Sequence, residues 1–237
     1  MTQSATGDAG GERARLAAIL FDMDGVMVDT EPLYWAVARE LARRYGKTVS
    51  DATLRRMMGR GRLESMRIFA ADCGITSADP AQLLDEREAL MVQRFSAGVD
   101  PMPGLNDMLA RFHGRLKLAV VTSSPRKFTD VLLPSLEVDR FFDVVQTGDD
   151  VARGKPDPQI YLAAMERLGL APPECVVLED SLAGAQAGHR AGARLIAVPT
   201  ELTAGEDFSF ADARVTNLPE ASGVVEAMIQ QASPRST

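Results

Sequence analysis

The sequence predicts an α/β fold: a doubly wound parallel sheet with an all-helical domain inserted after its first strand. Three observations predict it. Five short runs, apolar at their centres, have the length of buried strands: AAILF (17–21), LKLAVVT (116–122), DVVQT (143–147), CVVLE (175–179) and RLIAVP (194–199), with ARVT (213–216) as a weaker sixth. Helical patterns fall between most of these runs, the order expected of right-handed β–α–β crossovers. One long interval, from Glu31 to about Gly98, carries helical periodicity and no convincing strand.

The first strand runs into Phe21-Asp22-Met23-Asp24-Gly25-Val26, continuing Met27-Val28-Asp29-Thr30-Glu31-Pro32. Past it, Tyr34, Val37, Ala38, Leu41 and Tyr45 share one helical face, and Leu63, Met66, Phe69 and Ala70 share a second. Asp79-Pro80 starts a third helix reaching about Phe95, the aspartate as cap and the proline in the first turn. Pro101 and Pro103 mark the return to the sheet. Later, Ile160, Ala163, Ala164 and Leu168 fall at helical spacing, and Ser181 to Ala191 is rich in Ala and Gly, suited to close packing on a sheet. The expected organisation is a disordered tail at 1–14, an α/β core at 15–30 and 99–232, and a helical cap at 31–98. Residues from Ser233 on read as a second tail.

The chain has 237 residues, 46% hydrophobic and 25% charged, the mix of a soluble globular protein. No stretch approaches the roughly 20 apolar residues that span a bilayer, and the N-terminus lacks the apolar core of a signal peptide. A cytoplasmic protein without membrane association is expected, as a monomer or weak homo-oligomer. Its two cysteines, Cys73 and Cys175, read as reduced thiols outside any metal-ligand pattern. The net charge of −7 argues against nucleic acid as a partner. The inserted domain has a slight excess of basic residues, which suits a lid over an anion as well as it suits an ordinary surface.

Asp22 and Asp24 stand two residues apart at the C-terminal end of a strand, the edge where open α/β sheets bind ligands. Crowded carboxylates repel, and burying them is costly without a cation between them. A hard divalent ion with oxygen ligands meets that need, and Mg²⁺ is the expected one beside phosphate. Gly25 lets the backbone turn and approach a ligand. Thr122, Ser123 and Ser124 follow the second strand; hydroxyl and backbone N–H groups there can cradle phosphate oxygens or cap the next helix. Lys155, in GKPDP, is either a point charge for a phosphoryl group or a solvated turn lysine. Glu179 and Asp180 end a buried run, where surplus negative charge needs a metal; Asp180 is also a candidate helix cap.

The sequence resembles the haloacid dehalogenase superfamily. Phe21-Asp22-Met23-Asp24-Gly25 looks like its first motif, and LAVVTSS with Thr122, GKPDP with Lys155 and VVLEDSLAGAQAG with Glu179 and Asp180 look like the other three, in order. The resemblance covers residues 17 to about 200. It implies a Rossmann-like core with a helical cap between the first two motifs. It also implies two-step phosphoryl transfer. Asp22 is the implied nucleophile, Asp24 the acid and base, and Lys155 and Thr122 the groups that neutralise the phosphoryl oxygens. Mg²⁺ is implied on the Asp22 side chain, the Asp24 carbonyl and Asp180, with Glu179 behind or bridged by water. Dehalogenases of the superfamily lack the second aspartate of the first motif, so Asp24 points away from dehalogenation.

Within the superfamily the chain looks similar to sugar-phosphate phosphatases of the pseudouridine-5′-phosphatase kind. The expected substrate is a small phosphorylated metabolite, a sugar phosphate or nucleotide-type monoester. A phosphomutase of the β-phosphoglucomutase kind is the alternative, weakened because Tyr34 stands where that kind has a cap-side histidine. An inactive binding protein on the same fold is a remote third. The cap segment Met58-Gly59-Arg60-Gly61-Arg62 is the expected specificity loop, with Arg60 and Arg62 reaching substrate oxygens or solvent.

Overall fold

A computed structural model describes residues 14–231. The expected tails lie outside the described residues, Ala14 excepted. Among the described residues six strands form one sheet: β1 (Ala18–Phe21), β2 (Lys117–Val121), β3 (Val144–Gln146), β4 (Cys175–Glu179), β5 (Arg194–Ala197) and β6 (Ala213–Arg214). Every pairing is parallel, in the order β3-β2-β1-β4-β5-β6. The order reverses beside β1, which is where a doubly wound sheet opens its ligand crevice. Register then fixes what meets there. Phe21 lies beside Val120 on one side and Leu178 on the other. The residues that follow these three, Asp22, Val121-Thr122 and Glu179-Asp180, therefore emerge together.

The strands read as continuous apolar runs because both faces are covered. Ile19 and Phe21 point into a core shared with α5 (Leu105–Phe112), α6 (Arg126–Ser135) and α9 (Leu218–Gln231). Ala18 and Leu20 point into a second core shared with α7 (Gln159–Leu168) and α8 (Leu182–Arg190). The small residues of α8 bring it close to the sheet, as expected: a methyl group on Gly188 would stand 3.0 Å from Val177. β6 keeps only two residues of the expected ARVT, at the sheet edge.

The inserted domain is all helical, but it has four helices where three faces were legible: α1 (Glu31–Arg44), α2 (Asp51–Met57), α3 (Arg62–Cys73) and α4 (Pro80–Ser96). The additional helix, α2, spans seven residues and buries only Thr53 and Leu54, too few to make a periodic pattern. It is started by Ser50, whose hydroxyl accepts from the Thr53 N–H. Asp79 caps α4 as expected, with Gln82 closing the reciprocal bond to the Asp79 N–H. On α1, Val37, Ala38 and Leu41 are buried; on α3, Met66 and Phe69 are buried while Leu63 is exposed. The outgoing and returning linkers pair, the Met102 N–H donating to the Met27 carbonyl at 2.8 Å. Both cysteines are free and buried, and burial pushes the Cys175 thiol up to about 12, so it stays an unreactive core residue. Among the described residues, no helix is long and apolar enough to cross a membrane.

Candidate active site

Asp22, directly after β1, is 6% exposed. Lys155 reaches it from the loop before α7, with Nζ 2.6 Å from Asp22 Oδ1 and 2.6 Å from Glu179 Oε1. The ammonium also donates to the Val121 carbonyl at 3.1 Å. Lys155 is therefore an enclosed charge between two acids, and the solvated-turn alternative is set aside. Burial works against its charge, but Asp22 and Glu179 outweigh burial and raise its pKa.

Glu179 is fully buried, and its oxygens are taken up by protein donors. Oε1 receives Lys155 and, at 2.6 Å, the Tyr161 hydroxyl; Oε2 receives the Ser181 hydroxyl at 3.1 Å. It holds Lys155 in place. The Tyr161 ring lies 5.1 Å below the same ammonium. Asp180 is not the cap of α8, because Ser181 fills that role by accepting from the Gly184 N–H. That leaves the Asp180 carboxylate directed at the crevice, where a methyl group on Gly25 would overlap it. Gly25 is thus required twice, by its φ of +81° and by the space it leaves for Asp180.

Asp24 is oriented by three hydroxyls. Thr30 donates to Oδ1 at 2.7 Å, and Ser124 and Thr122 donate to Oδ2 at 2.8 and 3.2 Å. Thr122 also accepts from the Ser124 N–H at 3.0 Å, while α6 begins after Pro125 without a side-chain cap. Thr122 and Ser124 thus hold Asp24 rather than cap a helix. Ser123 is exposed at the mouth, and the close approach of its carbonyl to Gly148 fixes the loop.

Asp22, Glu179 and Asp180 each place one carboxylate oxygen within 4.8 Å of the others. Burial, then neighbouring negative charge, raises Asp22 and Asp180 well above 3.8; Lys155 opposes the rise without cancelling it. A site with negative charge in surplus of its lysine fits a hard divalent cation. With Glu179 engaged by three donors, Asp22 and Asp180 are the side chains suited to hold it.

The cap contributes two residues that the sequence motifs did not single out as site groups. The Tyr34 hydroxyl lies 3.5 Å from Ser124 Oγ, and burial and Asp24 push that phenol up. Arg87 of α4 stands with its guanidinium 5.9 Å from the Tyr34 ring centroid, and its Nε is buried without a hydrogen-bond partner. Burial lowers the Arg87 pKa. The two predicted arginines are placed differently. Arg60 is more than half exposed, 3.6 Å from Glu64, and Arg62 is paired with Glu88 and with Asp149. Neither is brought into contact with the Asp22 cluster by any of these bonds.

The family model of haloacid dehalogenase-like hydrolases matches residues 19–198, most of the chain. The chain is a haloacid dehalogenase-like hydrolase. Among its relatives, a phosphorylated carbohydrates phosphatase of Thermotoga maritima is 38% identical over 75% of this chain and 82% of its own length. Fructose-1-phosphate phosphatase YqaB of Escherichia coli is 34% identical over 75% of this chain and 94% of its own. The solved structure of CbbY from Rhodobacter sphaeroides in complex with phosphate superposes with a TM-score of 0.80 at 29% identity, covering 86% of this chain and 96% of that one. The α/β core with its inserted helical cap is thus the fold of the family.

Of the groups that build this hydrolase's site, Thr30 lay within the first motif's continuation and Tyr161 six residues past Lys155. Their hydroxyls face inward only because of how the chain packs. Arg87 carried no local signal, since it sits in an acidic stretch, Asp85-Glu86-Arg87-Glu88, that reads as a solvated helix face.

Proposed function

We propose that this haloacid dehalogenase-like hydrolase is a Mg²⁺-dependent phosphatase that acts on a small phosphorylated sugar or nucleotide-type monoester through an aspartyl-phosphate on Asp22. The observation that carries the reading is the pairing of two carboxylates in different settings. Asp22 is enclosed and held by one ammonium, while Asp24 is held by three hydroxyls beside it. Separate environments suit separate roles, a nucleophile and an acid–base group.

In the first step an Asp22 oxygen attacks phosphorus in line, a new P–O bond forms, and the bond to the leaving oxygen breaks. Asp24 gives that oxygen its proton. In the second step water attacks phosphorus, Asp24 takes a proton from it, and the Asp22 carboxylate is released with inorganic phosphate. Lys155 holds Asp22 in position and offsets charge developing on the phosphoryl oxygens. Mg²⁺, held by the Asp22 and Asp180 side chains and the Asp24 carbonyl, would supply further charge neutralisation when bound. Arg87 is the cap cation proposed to face the substrate's far end, with Arg60 and Arg62 as secondary candidates at the cap loop. The phosphatase reading is favoured over the phosphomutase because the named relatives at 38% and 34% identity are phosphatases. Tyr34, a phenol raised by burial, is also a poor proton carrier near neutrality where a mutase would place a histidine.

The test is a phosphate-release screen over sugar phosphates and nucleotides with Mg²⁺. The expected result is turnover of at least one small sugar phosphate that EDTA stops and Asp22→Asn abolishes. Interconversion of sugar phosphates faster than phosphate release would favour the mutase.

A further inference from the structure

We infer that Glu88 is a positioning residue that fastens the helical cap over the active site through ion pairs opened and remade in each turnover. The kinetic consequence rests on the phosphatase reading; the closure geometry does not.

α4 is the cap helix that lies against α6 of the core. Near its C-terminal end, the rings of Phe95 and Phe128 meet edge to face with centroids 5.3 Å apart, both buried. This apolar contact adjoins the linker that returns to the core, where Pro101 bridges to Val28. Seven residues toward the other end, about 10 Å along the helix, stands Glu88, whose side chain is 3% exposed. On the core side Glu88 Oε2 meets Lys127 Nζ of α6 at 2.6 Å. On the cap side Oε1 accepts from Arg62 Nε of α3 at 2.7 Å. Arg62 then reaches back to the core, with Nη1 2.9 Å from Asp149. Asp149 is itself fixed by the Arg126 N–H at 2.8 Å, at the start of α6.

Two ion pairs thus cross the junction, Glu88–Lys127 and Arg62–Asp149, and one buried carboxylate joins them. Their placement gives α4 an apolar pivot beside the linker and charged contacts at its outer part. A carboxylate this enclosed is costly to leave short of a cation, which favours the closed arrangement. The cations and Asp149 are 38% to 49% exposed, so water can take over their side of each pair when the cap opens, while Arg62 moves with the cap and stays on Glu88. Arg87 and Tyr34 both lie in the cap, so these contacts fix how that pair is presented to the core. Glu88 need not touch substrate to do this.

The test uses the full chain without substrate. Dyes on cysteines introduced at Ala81 of the cap and Glu166 of the core, both exposed, report cap–core distance by energy transfer; the native cysteines are buried. High salt should lengthen the distance in the parent protein. Lys127→Met should be lengthened already at low salt and respond little to more, while Lys127→Arg should behave like the parent. In turnover, Lys127→Met should raise KM about threefold to fivefold at low salt, with kcat changed by less than about twofold. The salt dependence of its KM should be weaker than the parent's, since only the Arg62–Asp149 pair is left across the junction. An unchanged distance in Lys127→Met, or no salt response in the parent, overturns the inference. If the distances move as expected but no variant releases phosphate, the closure role stands and the phosphatase reading fails.

Discussion

Replacing Gly184 with alanine should destabilise the protein, although alanine is the better helix former. At an unhindered helical position the change gains about 0.8–1 kcal/mol. At Gly184, in the first turn of α8, the added methyl would overlap the Glu179 carboxylate. That carboxylate has no free direction, since Lys155 and Tyr161 hold it at 2.6 Å each and Ser181 at 3.1 Å. Keeping it in place costs strain of about 1–3 kcal/mol. Moving it breaks charge-assisted hydrogen bonds worth about 1.5–3 kcal/mol each. After the helix gain is subtracted, strain leaves a loss of about 0–2 kcal/mol and one broken bond about 0.5–2 kcal/mol, so a net loss centred on about 1 kcal/mol is expected. Gly223 in α9 is the control, because a methyl there meets nothing within 4 Å. Gly223→Ala should be neutral or gain up to about 1 kcal/mol. Urea unfolding of the two variants measures both signs. If Gly184→Ala were as stable as the parent, Glu179 would not be pinned, and the account of how Lys155 is held would be wrong.

Removing the Tyr161 hydroxyl should disturb the same unit more gently: Tyr161→Phe is expected to lose about 1–3 kcal/mol by denaturant unfolding while kcat falls by less than about tenfold. Lys155→Met removes the charge itself and should lower kcat by about 10²–10³ in a phosphate-release assay. The metal and pH are linked through Asp22 and Asp180, whose folded pKa values lie above 3.8 because of burial and negative neighbours. A raised carboxyl contributes stability that is full below 3.8 and lost as pH rises through the folded value. Metal-free protein should therefore lose this contribution above about pH 4, and Mg²⁺ should raise Tm more at about pH 8 than at about pH 5. An equal rise at both, by thermal unfolding, would contradict the placement of the metal on these two acids.

Much of this arrangement is legible in the sequence itself. Parallel strands covered on both faces must be apolar throughout, so β1, β2 and β4 stood out, and the acids and hydroxyls that interrupt them marked the crevice. The Asp79 cap of α4 was legible because its signal is local. α2 was not, because seven residues with two inward positions make no period. Partner choice was the least legible. Thr122 and Ser124 turn to Asp24, and Arg62 turns to Glu88 and Asp149, through contacts spanning 26 to 100 positions in the chain. Arg87 shows the limit from the other side, since only packing reveals a guanidinium whose Nε is buried within an acidic helical run.

The covalent role of Asp22 is best tested by an acid quench during turnover of a ³²P-labelled sugar phosphate with Mg²⁺. The tryptic peptide Leu16–Arg39 contains Asp22, and fragmentation of that peptide locates the label. Acid-stable, base-labile label is expected on Asp22, absent from Asp22→Asn and absent with EDTA. Phosphate release by the parent with no labelled peptide, or label on another residue, would contradict it.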